Sequence, residues 1–225
     1  PGGFPITIGR VTRARDGVYD GTNTSTTTAA FVHLFFVSSD GTVADAYICL
    51  TPVQTATFLA SDVDPGVRGY LVAVLVDFNG CPMGSNILAG DAYVKLSTGH
   101  EASLPAEAFA AQFGGTLPGC NAASPSASLV FDGSANGYNR VPRTLAVEKL
   151  RSPADGNNTI LVVNRIGGSL MTGASTTGAL AGVLYDDVAT PNSFFLSTGA
   201  TQVFGTLSDT FLLPRRFSLL FVNRF

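Results

Sequence analysis

The chain has 225 residues, 13% of them charged, a net charge of −3, 45% hydrophobic side chains, two His and no Trp. Acidic and basic residues are scattered singly, which argues against a nucleic-acid-binding face or a polybasic membrane anchor, since both need clustered Lys and Arg. No run approaches the ~20 apolar residues of a membrane-spanning helix, and the stock of His, Cys and paired acids is thin for catalysis.

In chain order, residues 5–12 (PITIGRVT) read as a strand whose Pro5 and Gly9 suit a sheet edge or a bulge. The chain starts at Pro1 without Met, so an upstream signal or propeptide removed before that point is one expectation and a cloning boundary is the other. Turn chemistry and a Thr-rich extended stretch fill 16–28. Strands are expected at 30–37, 43–50 and 54–59, joined into a meander by Ser39-Asp40-Gly41 and Thr51-Pro52, with Asp-Gly a strong hairpin signal. After a loop centred on Pro65-Gly66, the run GYLVAVLVDF at 69–78 is strand-sized, reads as alternating, and ends at Asn79-Gly80. A pair of short strands is expected over 87–96.

One helix is expected over 103–113. Ser103 is placed to cap it, Pro105 falls in the first turn, Glu107 lies near the positive end, Phe109 and Phe113 share a face at i and i+4, and Gly114-Gly115 end it. Residues 114–128 (GGTLPGCNAASPSAS) are the least core-like stretch. They divide the chain into units 1–115 and 116–225, unless they form a long crossover within one sandwich. Further strands are expected at 126–131, 143–150, 159–165, 179–185, 193–197, 201–207 and 216–225, punctuated by Asp132-Gly133, Asp155-Gly156, Gly167-Gly168 and Pro191-Asn192. The reading is all-β: a mostly antiparallel β-sandwich, one large or two small, with one short helix.

Candidate chemistry is sparse. Three cysteines, Cys49, Cys81 and Cys120, allow one disulfide in an oxidising compartment; Cys49 with Cys81 is the first choice and Cys81 with Cys120 the second, against three free thiols. There is no CxxC, and neither His33 nor His100 has a partner at zinc-like spacing. His33 alternates with Phe31 and Phe35, which reads as a core or interface histidine rather than a general base, and His100 sits in a loop. Asp62 with Asp64, and Asp186 with Asp187, fit turns better than calcium loops. No metal, cofactor or catalytic residue is assigned, and the chain reads as a non-enzyme. Two glycosylation sequons begin at Asn23 and Asn157, both in expected loops.

The termini carry more information. Phe217, Leu219 and Phe221 alternate in a strong last strand, and Ile6 and Ile8 in a shorter first one. Such strands either complete their own sheet or are donated to the open edge of a neighbouring subunit.

Residues 64–70 (DPGVRGY), 76–82 (VDFNGCP) and 90–95 (GDAYVK), with 138–146 (YNRVPRTLA) and 164–168 (NRIGG), resemble a group of uncharacterised secreted β-proteins of environmental bacteria. That resemblance implies secretion and brings no activity. In architecture the chain is similar to pilins and surface-fibre subunits. The expectation is therefore an extracellular or cell-surface structural subunit that self-assembles into a filament or surface layer, with terminal strand exchange as one route. Its partners would be copies of itself and, at the sequons, a glycan; nucleic acid and membrane insertion are not expected. A secreted carbohydrate-binding or adhesin module, using Tyr19, Tyr138 or Tyr185 as platforms, and a viral capsid jelly roll are the alternatives.

Overall fold

The computed structural model describes residues 6–8, 18–66, 68–95, 99, 101–124, 128–142, 144–148, 150–151, 153, 156–169, 173–174, 177–186, 188–207 and 219–224. In chain order its strands are β1 Ile6–Ile8, β2 Val18–Asn23, β3 Ala30–Ser38, β4 Val43–Leu50, β5 Thr55–Leu59, β6 Gly69–Val76, β7 Leu88–Lys95, β8 Glu101–Pro105 and β9 Glu107–Ala108. They continue as β10 Thr144–Glu148, β11 Ile160–Asn164, β12 Gly168–Ser169, β13 Gly173–Ala174, β14 Gly178–Tyr185, β15 Pro191–Thr198, β16 Gln202–Thr206 and β17 Leu219–Arg224. The fold is all-β, with antiparallel sheets packed as in a sandwich.

The chain divides into two compact units, Pro1–Arg140 with Ile166–Ser175, and Val141–Arg165 with Thr176–Phe225. The break expected at 115/116 falls inside the first unit. Backbone pairing ties both sides of it together: Leu117 N–H donates to Pro82 O at 2.8 Å, Gln112 N–H to Gly137 O at 2.8 Å, and Asn139 N–H to Ala110 O at 2.8 Å.

In the first unit a sheet ordered β4-β3-β6-β1-β9 faces a sheet ordered β5-β2-β7-β8. Val32, Leu34 and Phe36 of β3 and Leu71, Ala73 and Leu75 of β6 pack with Tyr19 of β2 and Leu88 and Ala92 of β7. Each large apolar side chain buried this way contributes roughly 1.5–3 kcal/mol. β6 is buried along its whole length and β3 nearly so, which explains why their sequences run apolar instead of alternating: both faces of these central strands are covered. The register His33↔Tyr47 and Val37↔Val43 joins β3 to β4, and Ser38↔Gly69 opens the β3–β6 ladder.

The expected helix over 103–113 is absent. Residues 101–105 are β8, paired to β7, and 107–108 are β9. Phe109, Ala111 and Phe113 are buried while Gln112 is exposed, a period of two. Positions i and i+4 share a face in a strand as well as in a helix, so the Phe pair alone does not distinguish the two. The strand expected at 126–131 is also missing among its described residues, 128–131. The two short strands expected over 87–96 are instead a single strand, β7.

In the second unit β10-β17-β14-β15 form one sheet and β11-β16 a ribbon. Leu180 and Leu184 of β14 pack with Val203 of β16 and Leu207, and Leu161 and Val163 of β11 lie against them. Gly182 sits opposite Phe194, whose ring occupies the space a side chain would take.

Three turns share one hydrogen-bond design. Ser38, Asp77 and Asp186 each donate N–H to the residue four places on, at 2.8, 2.9 and 3.2 Å, and accept from the residue three places on. That third residue is left-handed in every case: Gly41 at φ 92°, Gly80 at φ 80° and Ala189 at φ 62°. Only Ala189 carries a Cβ there, which is disfavoured in this region. Ala189→Gly is therefore expected to stabilise the second unit by about 0.5–1 kcal/mol, read as a rise in its urea midpoint at unchanged slope. A fall would mean that the turn does not hold Ala189 left-handed.

Candidate assembly surface

The disulfide joins Cys81 to Cys120, with Cα atoms 5.7 Å apart, and Cys49 is a free, exposed thiol. The first-choice pair, Cys49 with Cys81, is thus corrected. Cys49 lies on β4, while the 77–81 turn leads off β6, and β3 lies between those strands. Two strand spacings are about 9.5 Å, beyond the reach of a disulfide. The pairing of 82–83 with 116–117 brings the true partners together.

Both terminal strands pair inside their own chain. Ile6 and Ile8 lie on β1 between β6 and β9, with Ile6↔Ala73 and Ile8↔Leu71. Leu219 and Phe221 lie on β17 between β10 and β14, with Phe221 opposite Ala146 and Val183. Phe217, like His100 and Asp187, lies outside the described residues.

Asn23 is fully buried, and its role differs from the glycan acceptor expected of it. Its Nδ2 donates to Thr28 O at 2.8 Å, Thr51 O at 3.1 Å and Leu50 O at 3.2 Å, while its Oδ1 accepts from Ser25 N–H at 3.0 Å. A nitrogen so committed is a structural anchor for the loops 24–28 and 51–54. Asn157 is exposed. Tyr19 and Tyr138 are core residues rather than sugar platforms; burial raises the Tyr138 phenol far above its usual pKa. Tyr185 is half-buried, Asp62 is exposed at the end of a short 3-10 turn, Ala60–Asp62, and Asp186 is a turn residue. Among the described residues no group of three or more His, Cys, Asp or Glu is placed to hold a metal.

What the sheet does assemble is an aromatic patch on the outer face of β3 and β4. Across the ladder Phe31 stands opposite Cys49, His33 opposite Tyr47 and Phe35 opposite Asp45. The His33 ring is held between Phe35 at 3.8 Å and Tyr47 at 4.0 Å between centroids, and Phe31 packs against Phe78 at 4.6 Å. Phe78 is 88% exposed at the tip of the 77–81 turn, Tyr47 is 61% exposed, and His33 is only 4% exposed. Nε2 of His33 lies 2.9 Å from Asp45 Oδ2. Burial lowers the His33 pKa and outweighs the opposing hydrogen bond and charge of Asp45, so at neutral pH the imidazole is neutral and donates its N–H to the carboxylate.

β4 is also an edge strand: among the described residues no strand pairs with its outer side. Eight residues long, it contains no Pro, Gly or Lys and only one charge, Asp45, so it lacks most of the devices that blunt sheet edges. The second unit has an edge in β15, eight uncharged residues that open with Pro191 and leave Phe195 exposed. On the opposite edge of that sheet β10 exposes Leu145 and Val147.

The molecule is thus an all-β sandwich protein with a disulfide whose Cys81 is buried, features compatible with a secreted or extracellular protein. Among the described residues no helix is long and apolar enough to cross a membrane. No family model, curated protein or solved structure matches the chain.

Proposed function

We propose that the protein is a structural subunit that associates with copies of itself, outside the cell, into a filament or surface layer. The observation that carries this reading is the open β4 edge beside exposed Tyr47 and Phe78. A chain that polymerises needs two association surfaces, and β4 in the first unit and β15 in the second, beyond its opening Pro191, each offer an edge with at most one charge. Main-chain pairing at such an edge supplies affinity, and the flanking aromatic side chains supply specificity. Terminal strand exchange is a second route, in which a neighbour's strand would take the place of β1 between β6 and β9.

The test is sedimentation velocity with negative-stain electron microscopy on the full chain. The wild type is expected to assemble as concentration rises, and Tyr47→Lys/Phe78→Lys to stay monomeric with unchanged circular dichroism. Deleting residues 1–8 distinguishes the two routes, since edge pairing through β4 survives it. A double variant that assembles like the wild type removes β4 from the interface.

A second reading, a carbohydrate-binding module, rests on Tyr47. Its exposed ring beside the Asp45 carboxylate supplies the stacking face and hydrogen-bond acceptor that a pyranose ring uses. Saturation-transfer NMR with soluble glycans on the monomeric variant and the wild type separates the readings.

A further inference from the structure

We propose that the His33–Asp45 pair is a proton-controlled gate on association through the β4 edge, closed at neutral pH and opened by mild acidification. The inference rests on the self-assembly reading above and adds its regulation. Asp45 is the one charge on the strand, its side chain is about half exposed, and His33 is its buried partner at 2.9 Å. In the free subunit water solvates the outer side of that carboxylate. A second strand laid along β4 would strip this water away, leaving a carboxylate with a neutral N–H donor in an aromatic setting. Burying an anion so poorly compensated opposes docking.

Protonation of His33 changes the balance. The pair becomes imidazolium and carboxylate with no net charge, the hydrogen bond gains an ionised donor to match its ionised acceptor, and the cation sits against the rings of Tyr47 and Phe35. No other group placed around the ring competes for this role. From β4 the remaining neighbours are Tyr47 and Cys49. β3 contributes Phe31 and Phe35, and β6 contributes Val74 opposite His33. In the 77–81 turn Asp77 is committed to the N–H groups of Asn79 and Cys81 at 2.8 and 3.0 Å.

The direction follows from proton linkage. The associated state holds the His33 proton more tightly than the free subunit, so association takes up a proton. It tightens as pH falls through the His33 range and levels off once the free subunit is protonated too. One proton per contact limits the effect to about tenfold per pH unit, or about thirtyfold between pH 7.5 and 6.0.

The experiment is sedimentation velocity of the full chain at pH 7.5 and 6.0, with Asp45→Asn as the main variant because its site is half exposed and the fold tolerates a neutral isostere there. The wild type is expected to associate at least several-fold more tightly at pH 6.0. Asp45→Asn is expected to associate equally at both, as tightly as the wild type at pH 6.0. The His33 ring, followed by NMR in a His100→Gln background, is expected to titrate at higher pH in assembled than in dilute protein. Equal wild-type association at both pH values overturns the gate and leaves self-assembly standing. So does acid tightening that persists in Asp45→Asn. A wild type and an Asp45→Asn variant that both stay monomeric throughout overturn the assembly reading and the gate with it.

Discussion

Replacing Gly69 by Ala is expected to cost about 4 kcal/mol or more and to leave the first unit largely unfolded, whereas Gly21→Ala is expected to be neutral or to stabilise by up to about 1 kcal/mol. Gly69 opens β6 opposite Ser38 of β3, and Ser39 N–H donates to Arg68 O at 2.8 Å beside it. A Cβ built there lies 1.8 Å from Val37 O, 2.7 Å from Val37 C and 2.8 Å from Ser38 Cα. Every one of those atoms is backbone, so no side-chain rotation relieves the overlap. The β3–β6 ladder must open at its start, and these are the two central buried strands. Gly21 is the opposite case. A Cβ there meets nothing within 4 Å, because Gly21 borders a small apolar gap with Val32, Leu34, Phe58 and Leu71. Urea unfolding followed by circular dichroism measures both variants. A Gly69→Ala protein with the wild-type midpoint would mean that β3 and β6 do not approach as described.

Much of this fold was legible because its strands differ in how they are covered. β3 and β6 read as strands from their short apolar runs, although with both faces buried the period of two expected of them is missing; β14 alternates, since one face is buried, whereas 87–96 reads as two short strands and is one, β7. The region 103–113 misled because Phe109 and Phe113 satisfy two periodicities at once and Ser103, Pro105 and the glycines punctuate either. Only the pairing of 101–105 with β7, a tertiary fact, decides between them. The unit boundary was displaced for a similar reason: a Gly, Ser and Pro-rich stretch looks like a linker, but 116–120 is held to 81–83 by backbone pairing and a disulfide.

The site was half visible. His33 between Phe31 and Phe35 already reads as a buried histidine, and it is buried. Its partner was recoverable from the Asp40-Gly41 turn: with Ser38 N–H closing on Thr42 O at 2.8 Å, counting back pairs Val37 with Val43 and His33 with Tyr47, which brings Asp45 within one diagonal step. The exposure of Phe78 and the openness of the β4 edge depend on strand order, which no local pattern encodes. The sequon at Asn23 failed as a surface signal because the same short polar side chain that accepts a glycan also satisfies buried carbonyls.

Opening the Cys81–Cys120 disulfide is expected to destabilise the first unit by about 4 kcal/mol, while Cys49→Ser changes its stability by less than about 0.5 kcal/mol. The bridge closes a loop with a sequence separation of 39, which contains β7, β8 and β9, so its main effect is to restrict the unfolded chain over that whole stretch. Cys81 is fully buried where the 77–81 turn rejoins the sheet, and its own N–H is held by Asp77 at 3.0 Å. Cys120 N–H is held by Leu117 O at 3.1 Å. Both ends are therefore fixed by backbone as well as by sulfur, and the Cys81→Ala/Cys120→Ala protein is expected to keep its strands at 25 °C with a lower urea midpoint. Cys49 touches neither end, projects from the outer face of β4 opposite Phe31, and is exposed. Thiol titration in denaturant gives an independent reading: one thiol in unreduced protein and three after reduction. Three thiols without reductant, or a Cys49→Ser variant weakened as much as the double variant, would show that the bridge is not the one the 82–117 pairing builds.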